Sequence, residues 1–331
     1  MEVCGGQTHA LLHHGLDQLL AESIELIHGP GCPVCVTATE RIDQALAMGL
    51  RPDVILCSYG DMLRVPGSDG RDLLGLRAVG ADVRVIYSPL DVLDLARANP
   101  QCQVVFFAVG FETTAPATAL LAHQAQWLGL ANLKLLVAHV RVAPVLDQLL
   151  ADPACAVDGV LAAGHVCTVM GQAEYEELVR RHQVPIVVTG FTANDLLNGV
   201  LSCVEQLETG TPAVRNSYQQ VVDKGGNGSA QALIDAVFEP VDTPWRGLGL
   251  VRAGGYRLRP EFAALALTPE SASEQEDPGC SEPCPSGLVL QGLLRPNACP
   301  NFGQGCTPDH PLGAPMVSAE GACAAYFRYG R

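Results

Sequence analysis

Up to about residue 209 the chain alternates short, unbroken apolar runs with segments of helical periodicity, and few folds accommodate that rhythm. The runs are "IELIH" (24–28), "DVILCS" (53–58), "VRVIYS" (83–88), "VVFFAVG" (104–110), "LKLLVAH" (133–139), "DGVLAAG" (158–164) and "PIVVTG" (185–190). They are continuous and branched-aliphatic, as parallel strands buried on both faces must be. Helices are predicted over 37–48, 91–98, 115–128, 143–151, 172–182 and 192–208, the first entered through "TATE" as a capping box. Such alternation predicts doubly wound α/β layers. The pattern runs twice, divided by a turn at "ANPQC" (98–102), which predicts two similar parallel-sheet α/β domains, 1–99 and 100–209. Beyond 210 only one helix, near 229–238, stands out; 210–331 is expected to be a smaller domain organised by something other than a large apolar core. The opening "MEVCGG" looks like the end of a strand with nothing before it, so an N-terminal segment is expected to be missing.

A formal charge of −15 over 331 residues argues against a nucleic-acid partner and against a basic membrane-binding patch. No apolar run approaches the roughly 18 residues needed to span a bilayer, and no secretory signal opens the chain. The expected location is the cytoplasm. Thirteen cysteines in that reducing compartment, an odd number, point to metal ligation and thiol chemistry over structural disulfides. Cys57, Cys102, Cys155 and Cys203 sit in apolar or ordinary contexts and are expected to be packing residues, as is Cys167.

In open parallel sheets the loops beyond the strand C-termini build the binding crevice. The distinctive polar stretches here fall at such places: "CGGQTH" (4–9), "GPGCPVC" (29–35), "SYGDMLRVPG" (58–67), "YSPLD" (87–91), "GFETTAP" (110–116), "AHV" (138–140), "GHVCT" (164–168) and "TGFTANDLL" (189–197). Together they predict a cleft lined from two domains. Gly5 and Gly6 would leave the Cys4 sulfur in a tight, open turn, with His9 in reach to favour thiolate. Cys32 and Cys35, two residues apart, suit a redox dithiol, half of a metal site, or an inert pair. His9, His139 and His165 end strands at the expected cleft, while His13 and His14 read as surface or packing residues. Glu112, followed by Thr113 and Thr114, lies at a strand-to-helix turn where a threonine N-cap is the plain alternative. Cys284, Cys299, Cys306 and Cys323 give C-x14-C-x6-C-x16-C, with Cys280 as a spare. Their spacing matches no common zinc ribbon, and their chemistry suits zinc or an iron–sulfur cluster equally.

Taken in order, "MEVCGGQTHA", "HGPGCPVCV", "SYGDMLRVPG", "GFETTAP", "GHV" and "FGQGCTPDHPLGAPMVSAEGACAAYFRY" resemble the HypD family of NiFe-hydrogenase maturation proteins over essentially the whole chain. The resemblance implies two like α/β domains and a third carrying a 4Fe–4S cluster on Cys284, Cys299, Cys306 and Cys323. It implies that Cys32 and Cys35 are a redox-active pair. It further implies that Cys4, with a small HypC-type chaperone, holds an iron bearing cyanide and carbon monoxide, the Fe(CN)2CO unit, with a HypE-type protein as cyanide donor. Catalytic roles are assigned on this basis to Cys4, Cys32, Cys35, His9, Glu112 and His165. The family commonly reads "CGGHTH", and here Gln7 replaces the first histidine. Electrons are expected to pass from the cluster to Cys32–Cys35 while Cys4 anchors the iron. Two rivals from other classes are a ferredoxin-linked thiol–disulfide oxidoreductase and a zinc-stabilised α/β binding module.

Overall fold

A computed structural model of the chain describes residues 1–267 and 284–330. The described chain is α/β with parallel sheets, and it divides into two compact units. Unit 1 comprises Met1–Cys35, Val142–Gly228 and Cys284–Arg331; unit 2 comprises Val36–Arg141 and Ser229–Pro283.

Unit 2 is built on strands β1 (Val54–Ser58), β2 (Val83–Val85), β3 (Gln103–Gly110) and β4 (Leu133–His139), in the order β2-β1-β3-β4, all parallel. The expected boundary at 99/100 falls inside this sheet, because β3 pairs with β1 from Val54↔Gln103 to Cys57↔Phe106. The two passes of the pattern therefore share one sheet. β3 is buried from Val104 through Gly110, which is why its sequence is an unbroken apolar run. Helices Leu73–Ala78, Asp91–Ala98 and Ala115–Trp127 lie in the crossovers, and Thr39–Gly49 leads into β1. "TATE" forms no capping box: the N-cap is Ala38, with no side-chain hydrogen bond. Thr114 does hold the N-cap position of its helix, but its hydroxyl donates to the Phe111 carbonyl oxygen at 3.1 Å instead of capping.

In unit 1, β5 (Val160–Ala163), β6 (Ile186–Thr189) and β7 (Val214–Asn216) form a parallel sheet in that order. Residues 1–4 extend it: Glu2 bridges in parallel to Leu161 of β5 on one side and to His28 on the other. The run 24–28 is thus an added edge with a single bridge, not a full strand. Leu161, Val187, Val200 and Cys203 form a buried cluster on this sheet, with Leu20, Ile24 and Leu26 packed against it. Ala10, Leu11, Leu16 and Leu196 form a second.

Sequence reading passed over one feature of unit 2, an antiparallel hairpin of β8 (Phe238–Trp245) and β9 (Gly249–Leu258). Trp245 is buried, and its indole N–H donates to the Gly254 carbonyl oxygen at 2.9 Å. Cys57, Cys167 and Cys203 are buried and Cys102 and Cys155 half-buried; Cys280 lies outside the described residues.

Candidate functional site

Cys4 ends the short N-terminal edge and caps the helix Gly5–His13, whose first turn donates from the Gln7 and Thr8 amides to the Cys4 carbonyl oxygen. Gly5 and Gly6 are helical residues here, and Cys4 is only 3% exposed, so the expected open turn is replaced by a buried helix start. Burial pushes the Cys4 thiol up to about 12, and the nearby Glu2 carboxylate acts in the same direction. The resting group is a thiol, which corrects the expectation of a thiolate favoured by a cationic neighbour.

The imidazole beside it is His165, in the first turn of the helix Gly164–Met170. Both ring nitrogens lie 3.8 Å from Cys4 Sγ. Phe191 stacks on this ring at 5.1 Å between centroids, and burial lowers the His165 pKa, so a neutral base faces a neutral thiol. His9 is placed otherwise, its ring against His13 and Tyr329. Gln7 is buried; its Nε2 donates to the carbonyl oxygens of Ala162 and Thr189, each at 3.3 Å, and its Oε1 has no hydrogen-bond partner among the described residues.

Beneath Cys4 lies a residue that sequence reading missed. Glu2 is 2% exposed. Its Oε2 accepts from the Cys4 amide at 2.8 Å, and its Oε1 accepts from the Thr8 hydroxyl and sits 2.8 Å from His28 Nδ1. An acidic residue two positions before a cysteine on an extended segment shares its face, and that parity was the available signal.

The glycine turn "HGPGC" lies directly on the Cys4 backbone. A Cβ on Gly31 would fall 2.2 Å from Cys4 N and 2.4 Å from Cys4 Cα, so only glycine permits this approach. The Gly31 carbonyl oxygen accepts from the Gly5 amide at 2.9 Å. Cys32 precedes and Cys35 lies within the four-residue helix Pro33–Val36, and a disulfide joins them with Cα atoms 5.2 Å apart. They are 3% and 0% exposed. Cys35 Sγ lies 3.8 Å from the Ala314 carbonyl oxygen.

Ala314 leads to the third group. Cys284, Cys299, Cys306 and Cys323 line one small apolar pocket with Phe302, Leu312, Gly313, Pro315 and Met316. A Cβ on Gly313 would fall 2.4 Å from Cys284 Sγ, and the Leu312 amide donates to Cys306 Sγ at 3.3 Å. Burial raises the Cys323 thiol well above its ordinary range, and the charges of Cys284, Cys306 and Cys299 push it the same way. Four sulfurs bordering one apolar pocket are a donor set suited to a positively charged centre.

Unit 1 therefore holds Cys4, His165, the disulfide and the four-cysteine pocket. Glu112 belongs to unit 2, buried at the turn between β3 and the helix Ala115–Trp127. His139, also in unit 2, has its Nε2 2.9 Å from the Thr118 hydroxyl, and burial lowers its pKa to about 4. That is a satisfied core histidine.

Comparison with known proteins places this geometry in a class. The family model described as hydrogenase formation hypA family, HypD, matches residues 1–330. "Hydrogenase maturation factor HypD" of Rhodobacter capsulatus is 45% identical over 339 residues, covering 100% of this chain and 89% of that protein. "Hydrogenase expression/formation protein HupD" of Azotobacter chroococcum is 45% identical over 337 residues, with the same coverage. "Hydrogenase maturation factor HypD" of Escherichia coli K12 is 44% identical over 334 residues, covering 99% and 88%. The class is that of accessory proteins for hydrogenase maturation. Within it, the chain belongs to the HypD family. Among the described residues no helix is long and apolar enough to cross a membrane.

Proposed function

We propose that the chain is a redox-capable scaffold on which, together with a HypC-type partner and with cyanide supplied by a HypE-type protein, the Fe(CN)2CO unit of a NiFe-hydrogenase is assembled. One observation carries this reading: unit 1 gathers a buried single thiol, a Cys-x-x-C disulfide and a four-cysteine pocket, joined through Gly31 and Ala314. The chain's working site would thus draw on unit 1, with 284–330 as the cluster-bearing part, while Glu112 belongs to the other unit.

Cys284, Cys299, Cys306 and Cys323 would hold a 4Fe–4S cluster, which supplies single electrons when bound. The fit rests on the donor chemistry and on the pocket itself. Among the described residues no three His, Cys, Asp or Glu converge on a single-ion site, and the four thiols instead border a space between them. The Leu312 amide on Cys306 Sγ is the kind of hydrogen bond that tunes a cluster's potential.

Closing or opening Cys32–Cys35 moves two electrons and two protons: the disulfide is reduced to two thiols. When it opens, Cys35 gains a proton to donate toward the Ala314 carbonyl oxygen, 3.8 Å away. Cys4 receives the iron as cargo. Its thiol must lose its proton to bind metal, and His165, with both ring nitrogens 3.8 Å from the sulfur, is the base placed to take it. Soft thiolate suits iron carrying strong-field ligands. A general thiol–disulfide oxidoreductase fits less well, because its substrate must reach a sulfur and both Cys32 and Cys35 are buried.

Anaerobic copurification with a HypC-type partner, followed by infrared spectroscopy and iron analysis, tests the reading. Cyanide and carbonyl stretches are expected in the complex and absent from Cys4→Ala. A folded, cluster-loaded complex without those bands overturns the scaffold; zinc in place of iron overturns the redox reading as well.

A further inference from the structure

The helix that starts at Cys4 ends in a group of imidazoles that the reading above does not use. His9 and His13 are four residues apart on Gly5–His13 and so share one face. Their ring centroids are 5.8 Å apart with planes inclined by 13°, and His14 follows with its ring 4.8 Å from that of His13. Tyr329 meets both rings edge-on, at 5.0 and 5.1 Å, with its hydroxyl 3.5 Å from His9 Nε2. His9 is half-buried and His13 exposed.

We propose that His9 and His13 form an open chelate for a borderline divalent transition ion such as Ni2+ or Zn2+, with water in the remaining positions. Two imidazoles at this helical spacing are the arrangement by which zinc-binding helices present a ligand pair. The distances agree. A metal–nitrogen bond of about 2.0–2.1 Å, plus about 1.1 Å from nitrogen to ring centre, puts two tetrahedrally disposed rings about 5.2 Å apart. The observed 5.8 Å exceeds this by about 0.6 Å and the rings are stacked, so the exposed His13 must turn about its side-chain torsions to bring both in-plane nitrogen lone pairs onto one ion. Burial, and then the charges of His13, Arg328 and His14, lower the His9 pKa, which keeps that ring neutral with a lone pair to give. Arg328 also opposes a bound cation, so the affinity is modest. Among the described residues no third His, Cys, Asp or Glu completes the set, and the ion stays accessible to exchange. The Tyr329 hydroxyl is placed to hydrogen-bond a coordinated water.

The test uses cluster-loaded protein with its accessible thiols alkylated, titrated with Ni2+ by calorimetry and followed by the NMR signals of the histidine rings. One ion per chain is expected, with paramagnetic broadening centred on His9 and His13. His13→Ala, a change at an exposed side chain, is expected to weaken binding roughly tenfold or more, and His14→Ala to leave it within about threefold of the parent. Absence of saturable binding below about 1 mM, or unchanged affinity in folded His13→Ala, overturns the proposal. So does an equal loss in His14→Ala, which would put the ion on a different pair.

Discussion

Gly31→Ala is the sharpest perturbation of the way the Cys-x-x-C turn rests on Cys4. The added Cβ would lie 2.2 Å from Cys4 N, where 3.4 Å begins ordinary contact, so the turn must retreat by about 1.2 Å. That retreat stretches the 2.9 Å bond from the Gly5 amide to the Gly31 carbonyl oxygen to about 4 Å, beyond hydrogen-bonding range. The lost bond costs about 1 kcal/mol net. Forcing a methyl against backbone atoms costs about 1–3 kcal/mol more. Unit 1 should thus lose about 2–4 kcal/mol of local stability, equivalent to amide exchange about thirtyfold to several-hundredfold faster in peptides from its first 35 residues. Hydrogen exchange with mass spectrometry is the suitable assay, because both tryptophans, Trp127 and Trp245, lie in unit 2 and are silent about this region. Peptides from β3 and β4 serve as the internal control and should not change. Parental protection of residues 1–12 in Gly31→Ala would refute the close-contact account.

Further outcomes follow from the burial of single groups. Glu2→Ala leaves His28 and the Cys4 amide without their buried partner and should cost roughly 3–5 kcal/mol in unit 1, measured by exchange at the same peptides, with Glu2→Gln costing less. Cys4, raised to about 12 from an ordinary 9.0, should be alkylated about a thousandfold more slowly at pH 8 than an unhindered thiol in a peptide, and slower still for its burial; mass spectrometry of the labelled protein reads this directly. For His139 the folded pKa of about 4 lies below the unfolded 6.5, so the unfolded chain takes up the proton first. Stability of unit 2 is then full above about 6.5 and falls by about 3 kcal/mol as pH drops toward 4, a slope that His139→Gln should flatten in Trp-fluorescence unfolding curves.

Much of the α/β layering is legible in the sequence because buried parallel strands need unbroken apolar runs, and "VVFFAVG" and "LKLLVAH" became β3 and β4 almost residue for residue. Strand partnership is not legible that way. Nothing local in "VVFFAVG" says that it pairs with β1, so the repeat suggested a boundary where the sheet is continuous. The hairpin β8–β9 escaped notice because Pro240 and Pro244 interrupt its alternation, and proline weakens any strand assignment. At the site, the cysteines announced themselves by spacing, and the imidazole near Cys4 turned out to be His165, one of the three marked as strand-end residues. Glu2 stayed hidden: its burial depends on β5 and on residues 26–28 closing over it from far along the chain.

The order of the segments also has a consequence for synthesis. Unit 1 is begun by residues 1–35, continued by 142–228 and finished only by those from 284 onward, with the two segments of unit 2 falling between. On a ribosome, β1 to β4 and the hairpin can all be made while the N-terminal edge still waits for its last partners. Cys4 and the disulfide pair emerge first, yet the four-cysteine pocket they adjoin exists only when Cys323 has cleared the exit tunnel. Nascent chains of this protein thus present early thiols with no finished pocket, and a cofactor can be loaded there only once Cys323 has emerged.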